Sequence, residues 1–232
     1  MAKTKFIFIV GGVMSGIGKG ITTSSIGRVL KDYGFSVTAM KIDPYLNVDA
    51  GTLNPIVHGE VFVTDDGTEG DQDLGNYERF LETDMSRKNI MTSGLVYQTV
   101  IQRERNLEYG GQDVEMMSEI PNEVMRRFKY LSYTAKTDFV LVEVGGTVGE
   151  YEYLVFLEAA RIMKLNDPDG VIFVLVSYMP ILSNTGEMKS KPTQHAVKAL
   201  NSVGINVDML IARASVSIDK MRKEKISRMC NI

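Results

Sequence analysis

The chain has 232 residues, of which 44% are hydrophobic and 24% are charged, and its formal net charge is −3. These values are ordinary for a globular domain, and they argue against the basic surface that nucleic-acid binding requires. No apolar run approaches the roughly 18 residues of a membrane span, and the apolar stretch near the N-terminus is too short for a signal peptide. We therefore expect a cytoplasmic protein that binds neither nucleic acid nor membranes.

The predicted elements alternate between short apolar runs and longer amphipathic segments, which is typical of a parallel sheet covered by helices. In chain order we predict a strand over 6–10, a helix over 18–33, strands over 36–42 and 139–142, a helix over 151–165, a strand over 171–176, a helix over 193–202 and a strand over 207–211. Residues 43–88 are rich in Pro, Gly, Asn and Asp, so we expect a long functional loop there. The predicted fold class is α/β, with three layers around a mainly parallel twisted sheet.

A glycine-rich loop, GGVMSGIGKG at 11–20, joins the first predicted strand to the first predicted helix. Glycines let backbone N–H groups face an anion, and the helix N-terminus and Lys19 add positive charge. The match to the Walker A pattern is imperfect, because Val13 replaces its first glycine and Gly20 its hydroxyl residue. The loop is either an ordinary turn or a phosphate site. The order of strand, loop, lysine and helix favours phosphate binding in a P-loop NTPase-like domain.

Charged side chains lie at the ends of two predicted strands. Lys41 ends the second strand, and Glu143 follows the apolar strand over 139–142. Asp73 lies in an acidic loop over 65–73. Ligands of such sheets bind beyond the carboxyl ends of the strands, so we predict that Lys41 reaches phosphates and that Asp73 and Glu143 bind Mg²⁺. Asp73 could instead be a solvated surface residue, whereas a buried Glu143 needs a partner.

A second cationic cluster, Lys189-Ser190-Lys191-Pro192, precedes the helix predicted over 193–202. Proline suits a first helical turn, and lysines before a helix N-terminus can bind an anion. A solvated lysine pair is the alternative. Two anion sites in one domain would indicate two nucleotides.

The single cysteine, Cys230, has no partner for an internal disulfide. This fits a reducing compartment. We interpret Cys230 as a small buried apolar residue and not as a nucleophile.

Long strings of the sequence resemble the synthetase (amidoligase) domain of CTP synthases. They are GGVMSGIGKG at 11–20, KIDPYLNVDAGTLNP at 41–55, HGEVFVTDDG at 58–67, DLGNYERF at 73–80, EVGGTVGEYE at 143–152, GEMKSKPTQH at 186–195 and KISRMCNI at 225–232. The resemblance covers residues 1–232 nearly end to end and implies a dethiobiotin synthetase-like fold. It also implies an ADP-forming C–N ligase: ATP phosphorylates O4 of UTP, and ammonia then displaces phosphate to give CTP.

The resemblance also implies roles for individual residues. Lys19 and Lys41 are the expected catalytic cations, Asp73 and Glu143 the expected Mg²⁺ ligands, and His58 lies near the expected ammonia route. The expected ATP-binding residues are Gly16, Ile17, Gly18, Lys19, Gly20, Ile21, Asp73 and Arg213. The expected UTP- and CTP-binding residues are Ser15, Glu150, Tyr151, Glu152, Lys189, Ser190, Lys191, Pro192, Thr193, Gln194 and Lys225.

The resemblance implies partners as well. UTP, ATP and ammonia are the expected substrates, CTP is the expected feedback inhibitor, and the expected assembly is a homotetramer built as a dimer of dimers. The family's glutaminase domain is missing from these 232 residues. We therefore interpret the chain as a C-terminally truncated synthetase domain that uses free ammonia or ammonia from a glutaminase in trans.

Some positions depart from the family pattern. Glu150 replaces the usual aspartate, Asn76 replaces a histidine, and residues 118–121 replace a Pro-His-Ile-Thr motif. These departures leave open a catalytically weak or regulatory relative that binds UTP or CTP. A ParA/MinD-like ATPase switch is a further alternative, because it shares the strand–loop–helix start, although it has no use for the lysine cluster at 189–194.

Overall fold

The structure is a computed structural model that describes residues 3–54, 56 and 59–232. Its strands are β1 (Lys5–Gly11), β2 (Val37–Asp43), β3 (Phe62–Val63), β4 (Glu69–Gly70), β5 (Ile90–Thr92), β6 (Phe139–Val144), β7 (Val171–Tyr178) and β8 (Met209–Arg213). Its α-helices are α1 (Lys19–Asp32), α2 (Asp73–Leu81), α3 (Ser93–Arg105), α4 (Met116–Ala135), α5 (Leu154–Asn166), α6 (Lys191–Ser202) and α7 (Lys220–Cys230). Two short 3₁₀ helices, η1 (Arg87–Asn89) and η2 (Tyr151–Tyr153), complete the elements described.

Six strands form one parallel sheet in the order β5-β2-β6-β1-β7-β8. Strands β3 and β4 pair separately as a small antiparallel ribbon. Because the six strands run in one direction, their carboxyl ends share one edge, where ligands of such sheets bind. This edge carries the glycine-rich loop, Lys41 and Glu143.

Two apolar layers cover the faces of the sheet. Strand β1 turns Phe8 and Val10 towards the helices α3 to α7, and Ile7 and Ile9 towards α1 and α2. Phe8 packs against Phe128 of α4, with their ring centroids 5.3 Å apart. Alternation of this kind buries both faces of a central strand and explains its continuous apolar sequence. The predicted three-layer α/β fold is thus confirmed.

The predicted elements are confirmed with small shifts at their ends. The strand expected over 171–176 continues to Tyr178, and the one expected over 207–211 is β8. The helix expected over 151–165 begins as η2 and continues as α5, and the helix expected from Thr193 begins two residues earlier. Cys230 is buried at the end of α7, as expected. Among the described residues, no helix has the length and apolar character needed to cross a membrane.

The expectation of a long loop over 43–88 is wrong in part. Strands β3 and β4 and helix α2 lie within it. Helix α2 forms because Leu74, Tyr77 and Leu81, spaced by three and four residues, are fully buried against α1. Tertiary packing stabilises this nine-residue helix despite the Gly- and Asp-rich sequence around it.

Candidate functional site

The loop between β1 and α1 contains two glycines in a left-handed backbone conformation. Gly16 and Gly18 have positive φ angles of 67° and 85°, which favour glycine. A side chain at position 18 would also overlap the guanidinium of Arg213. Residues 13–16 are exposed, so their backbone is open to a ligand beside the N-terminus of α1.

Lys19 begins α1 and points back across the loop. Its Nζ donates a hydrogen bond to the carbonyl of Gly146, over a distance of 2.9 Å. Burial lowers the pKa of Lys19, although the Glu143 carboxylate opposes this change. The Lys19 ammonium is therefore partly buried at the carboxyl edge of the sheet, next to the loop that follows β6.

Lys41 lies at the centre of a buried charge cluster. Its Nζ contacts Oδ2 of Asp73, lies 3.0 Å from Oε1 of Glu143 and lies 3.4 Å from Oδ2 of Asp71. Burial alone would lower the pKa of Lys41, but attraction to Glu143 and Asp43 outweighs burial and raises the pKa well above its usual value. The lysine is therefore charged and holds the carboxylates together. The structure thus brings Lys19, Lys41, Asp73 and Glu143 to one place.

Asp73 also accounts for the imperfect glycine-loop motif. A Cβ atom at Gly20 would overlap the Asp73 carboxylate. The aspartate therefore occupies the space that a serine or threonine at position 20 would fill. A carboxylate from α2 stands where a Walker A loop has its hydroxyl.

Three further residues belong to this cluster and were missed by the sequence analysis. The hydroxyl of Tyr77, on α2, donates to Oε2 of Glu143, and Asp71 contacts Lys41. Asp43, two residues after Lys41 on β2, is buried, and burial raises its pKa to about 7. The position of Asp43 at a strand end was a usable signal, whereas Tyr77 could be found only through the helical spacing of α2.

The donor set fits a magnesium ion. Among the described residues, no three His, Cys, Asp or Glu side chains are arranged to hold a metal by themselves. However, Asp73 and Glu143 present carboxylate oxygens to the same cationic atom, the Nζ of Lys41. Mg²⁺ in phosphoryl-transfer sites is commonly bound by one or two carboxylates, with waters and phosphate oxygens completing the octahedron. Binding of Mg²⁺ by Asp73 and Glu143 stays a prediction.

Arg213 closes the other side of the glycine loop. It ends β8, and its Nη1 donates to the carbonyl of Ile17 over 2.9 Å. A groove of about 360 Å³ runs between this arginine, Tyr178 and the loop residues 14–17. A flat group bound there would be adjacent to the glycine-rich loop.

The second cationic cluster lies at the N-terminus of α6. Lys189 forms an ion pair with Glu187, and Lys191 is exposed at the first helical position. A groove of about 270 Å³ brings Ser190 and Lys225 together. The hydroxyls of buried Thr193 and Ser177 form a hydrogen bond of 2.9 Å. The side-chain amide of Gln194 donates a hydrogen bond to the hydroxyl of Ser190.

The segment that follows β6 presents polar groups to solvent. The carboxylate of Glu150 accepts hydrogen bonds from the backbone N–H and the hydroxyl of Thr147, at 2.9 Å and 2.8 Å. Tyr151 is 87% exposed, and Glu152 is exposed as well. His58, predicted to lie near the ammonia route, is outside the described residues.

Comparisons with known proteins identify the family to which this chain belongs. Residues 5–232 match the family model described as the CTP synthase N-terminus. The chain is 50% identical over 229 residues to a CTP synthase of Picosynechococcus sp., and 51% identical over 230 residues to one of Pyrococcus horikoshii. These alignments cover 98% and 99% of the chain but only 42% of each relative. The chain therefore spans less than half the length of the curated relatives that it matches.

A solved structure supports the fold alone. The signal recognition particle 54 kDa protein of Aeropyrum pernix, in complex with GDP, aligns with a TM-score of 0.50 and 11% identity. The alignment covers 100% of this chain and 40% of that one. Sequence similarity, and not this distant likeness, carries the assignment: the chain belongs to the CTP synthase family and matches its N-terminal region.

Proposed function

We propose that this chain catalyses the ATP-dependent amination of UTP to CTP. The γ-phosphoryl group of ATP is transferred to O4 of the uracil ring, which yields ADP and a 4-phosphorylated UTP. Ammonia attacks C4, the C4–O bond breaks, and inorganic phosphate leaves. Phosphorylation is needed because an amide-like oxygen is a poor leaving group.

The observation that carries the proposal is the position of the Lys41 cluster. Lys41, Asp73 and Glu143 converge at the carboxyl edge of the sheet, directly beside the first turn of α1. Phosphoryl transfer depends on positioning and charge neutralisation more than on covalent participation by the protein. A cluster of cations and carboxylates at a glycine loop provides both.

Each residue has a defined part in this proposal. Backbone N–H groups of residues 16–21 hold the ATP phosphates, and Lys19 and Lys41 neutralise the charge that shifts during transfer. Arg213 fixes the loop through Ile17 and borders the nucleotide groove. Lys41 exchanges carboxylate partners for phosphate oxygens when the nucleotide binds.

Asp73 and Glu143 are the proposed ligands of Mg²⁺, consistent with the oxygen pair that they present. When bound, the ion would neutralise phosphate charge and orient the transferred group. Tyr77 holds the second oxygen of Glu143 and so fixes the orientation of that ligand.

The cluster at the α6 N-terminus is the proposed site for the pyrimidine nucleotide. On this surface Lys191 and Lys225 are exposed, and Ser190 and Lys225 line one groove. We propose that this surface serves a neighbouring chain in a homotetramer, with Ser15 completing the site. Residues 150–152 would then contact CTP as feedback inhibitor.

Ammonia is the proposed nitrogen donor, supplied free or by a glutaminase domain or partner, and His58 is proposed to lie along its route. We place the reaction in the cytoplasm. Membership of the CTP synthase family favours this function over a ParA/MinD-like switch.

The proposal is tested by incubating the protein with ATP, MgCl₂, UTP and ammonium chloride. Separation of the nucleotides should show CTP and ADP formed in equal amounts. Omission of UTP should reduce ADP formation to background. Tight UTP or CTP binding by calorimetry without turnover would instead favour the catalytically weak relative.

Asp73→Asn and Glu143→Gln test the two proposed metal ligands. Both are nearly isosteric, and both should abolish CTP formation while a folded protein remains by circular dichroism. Phosphate release without CTP would overturn the proposal, and so would ATP-driven dimerisation that is independent of UTP.

A further inference from the structure

A cavity of about 540 Å³ lies at the β5 edge of the sheet, between residues 48–49, residues 68–69 and the helices α3 and α4. It is larger than the groove of about 360 Å³ beside the loop. Its volume falls in the range of about 300–1,000 Å³ that is usual for small-molecule sites. The proposed function assigns it no role.

The floor and one wall of the cavity are apolar. Met40 of β2, Ile90 of β5 and Leu95 of α3 contribute side chains, and the half-exposed ring of Tyr130 on α4 forms one side. The lining residues Thr92 and Val48 are held together, because the hydroxyl of Thr92 donates to the carbonyl of Val48 over 3.0 Å. A flat apolar group would fit between these surfaces.

The lining of the cavity carries four cations, Arg87, Lys88, Arg126 and Arg127, and two carboxylates, Asp49 and Glu69. Arg126 and Arg127 both bind Glu123, which is fully buried, so two guanidiniums share one carboxylate. The Nζ of Lys88 lies 5.7 Å from the centroid of the Tyr130 ring. Among the described residues, no carboxylate lies within ion-pair distance of Lys88. Lys88 is therefore the lining cation that can accept an added anion, next to the aromatic ring of Tyr130.

The cavity and the proposed phosphate site share two pieces of backbone. Met40 faces the cavity, whereas its neighbour Lys41 faces the carboxylate cluster, because successive strand residues point to opposite faces. Glu69 lines the cavity, and Asp71 and Asp73, just beyond it in the chain, contact Lys41. A ligand in the cavity would thus contact β2 and Glu69, which lie next in the chain to the residues of the Lys41 cluster.

We propose that this cavity is a second ligand site, for a small organic anion with a planar apolar ring. The ring lies against Tyr130 over the Met40 floor, and the acidic group binds Lys88. Occupancy favours the arrangement of β2 and residues 69–73 that binds Mg·ATP. The coupling rests on the proposed ATP site, whereas binding in the cavity does not.

Anilinonaphthalene sulfonate, a fluorescent planar anion, is a suitable probe. Titration of the folded protein should give saturable binding of one probe per chain. Lys88→Glu and Tyr130→Ala should each weaken binding by about tenfold or more, because they remove the cation or the ring. Both side chains are exposed or half-exposed, so the variants should fold.

The same helix offers matched controls. Lys129→Glu makes the same charge change on α4 but faces a different cavity, of about 410 Å³. Tyr133→Ala removes a ring that is 79% exposed and does not line the 540 Å³ cavity. Both should leave probe affinity unchanged. Loss of binding in Lys129→Glu, with none in Lys88→Glu, would place the probe elsewhere and overturn the proposal.

The coupling has its own measurement. Saturating Mg·ATP should tighten probe binding by about fivefold, and the probe should tighten Mg·ATP binding by the same factor. Displacement of the probe by Mg·ATP, or an unchanged affinity, would overturn the coupling. Calorimetry with Mg·ATP alone is run first, so that a failure of the ATP site is recognised separately from a failure of the cavity.

Association of the chain is a further outcome to exclude. If probe binding falls with rising protein concentration while sedimentation shows an oligomer, a second copy of the chain covers the cavity. That result would overturn the small-molecule site.

Discussion

Lys41 and Glu143 face each other across adjacent strands, with Nζ and Oε1 3.0 Å apart. Their side chains are only 6% and 2% exposed. Buried charges persist only when they are paired, so each of these groups depends on the other. The first prediction follows from this dependence.

Replacing Lys41 with methionine leaves Glu143 and Asp73 without their cation. We expect Lys41→Met to reduce the free energy of unfolding by about 3–5 kcal/mol, as measured by urea denaturation. Lys220→Ala removes an exposed pair with Glu224 and should change stability by less than about 0.5 kcal/mol.

Magnesium should partly restore the Lys41→Met variant, because a divalent cation can take the place of the ammonium between the carboxylates. Thermal unfolding with and without MgCl₂ tests this. An equal increase of the melting temperature in wild type and variant would contradict the placement of the ion at Asp73 and Glu143.

The close approach of Gly20 and Asp73 gives a second prediction. Gly20→Ala should destabilise the protein by about 1–3 kcal/mol, because the new Cβ overlaps the Asp73 carboxylate. In an Asp73→Ala background the same change should be neutral or stabilising by about 0.5 kcal/mol, because alanine is the better helix former. A double-mutant cycle in urea measures the difference, and simple additivity would show that the two residues do not compete for space.

Tyr77 should act through Glu143 on the metal. Tyr77→Phe removes the hydroxyl that donates to Oε2, and we expect Mn²⁺ affinity in the presence of ATP to fall by about tenfold. Electron paramagnetic resonance of free Mn²⁺ gives the binding constant directly. Tyr109→Phe is the control, because its buried hydroxyl has no hydrogen-bond partner among the described residues. Equal effects of the two changes would exclude a positioning role for Tyr77.

The buried carboxyl of Asp43 should make the free energy of unfolding depend on pH. Burial raises its pKa from 3.8 to about 7, so between these values the folded protein holds a proton that the unfolded chain has released. Stability contributed by this carboxyl should therefore fall as the pH rises from about 4 to 7, by at most about 4 kcal/mol. Asp43→Asn should flatten the profile and stabilise the protein above pH 7. Urea denaturation at several pH values tests this, and an unchanged slope in Asp43→Asn would contradict it.

The sequence was sufficient to predict the sheet and the charges at its edge. Apolar runs that end in Lys41 and Glu143 identify strand ends, and parallel strands bring such ends together. Lys41 lies beside Glu143 because the two residues are paired in the register of β2 and β6. The Walker A mismatch at Gly20 was visible too, but its cause, the approach of Asp73, required the structure.

Helix α2 shows why the rest could not be predicted. Its nine residues lie among Gly and Asp, and its stability depends on the burial of Leu74, Tyr77 and Leu81 against α1. Contacts between distant segments decide its conformation, and with it the positions of Asp71, Asp73 and Tyr77. The segment over 89–138, to which no element was assigned, contains β5, α3 and α4. The cavity under Tyr130 therefore had no counterpart in the sequence analysis.

The central claim is that ATP phosphorylates O4 of UTP before ammonia attacks. UTP labelled with ¹⁸O at position 4, incubated with the protein, Mg·ATP and ammonium chloride, tests it most directly. We expect the label to appear in the inorganic phosphate released with CTP, as detected by mass spectrometry. Label found in water, with unlabelled phosphate, would contradict it.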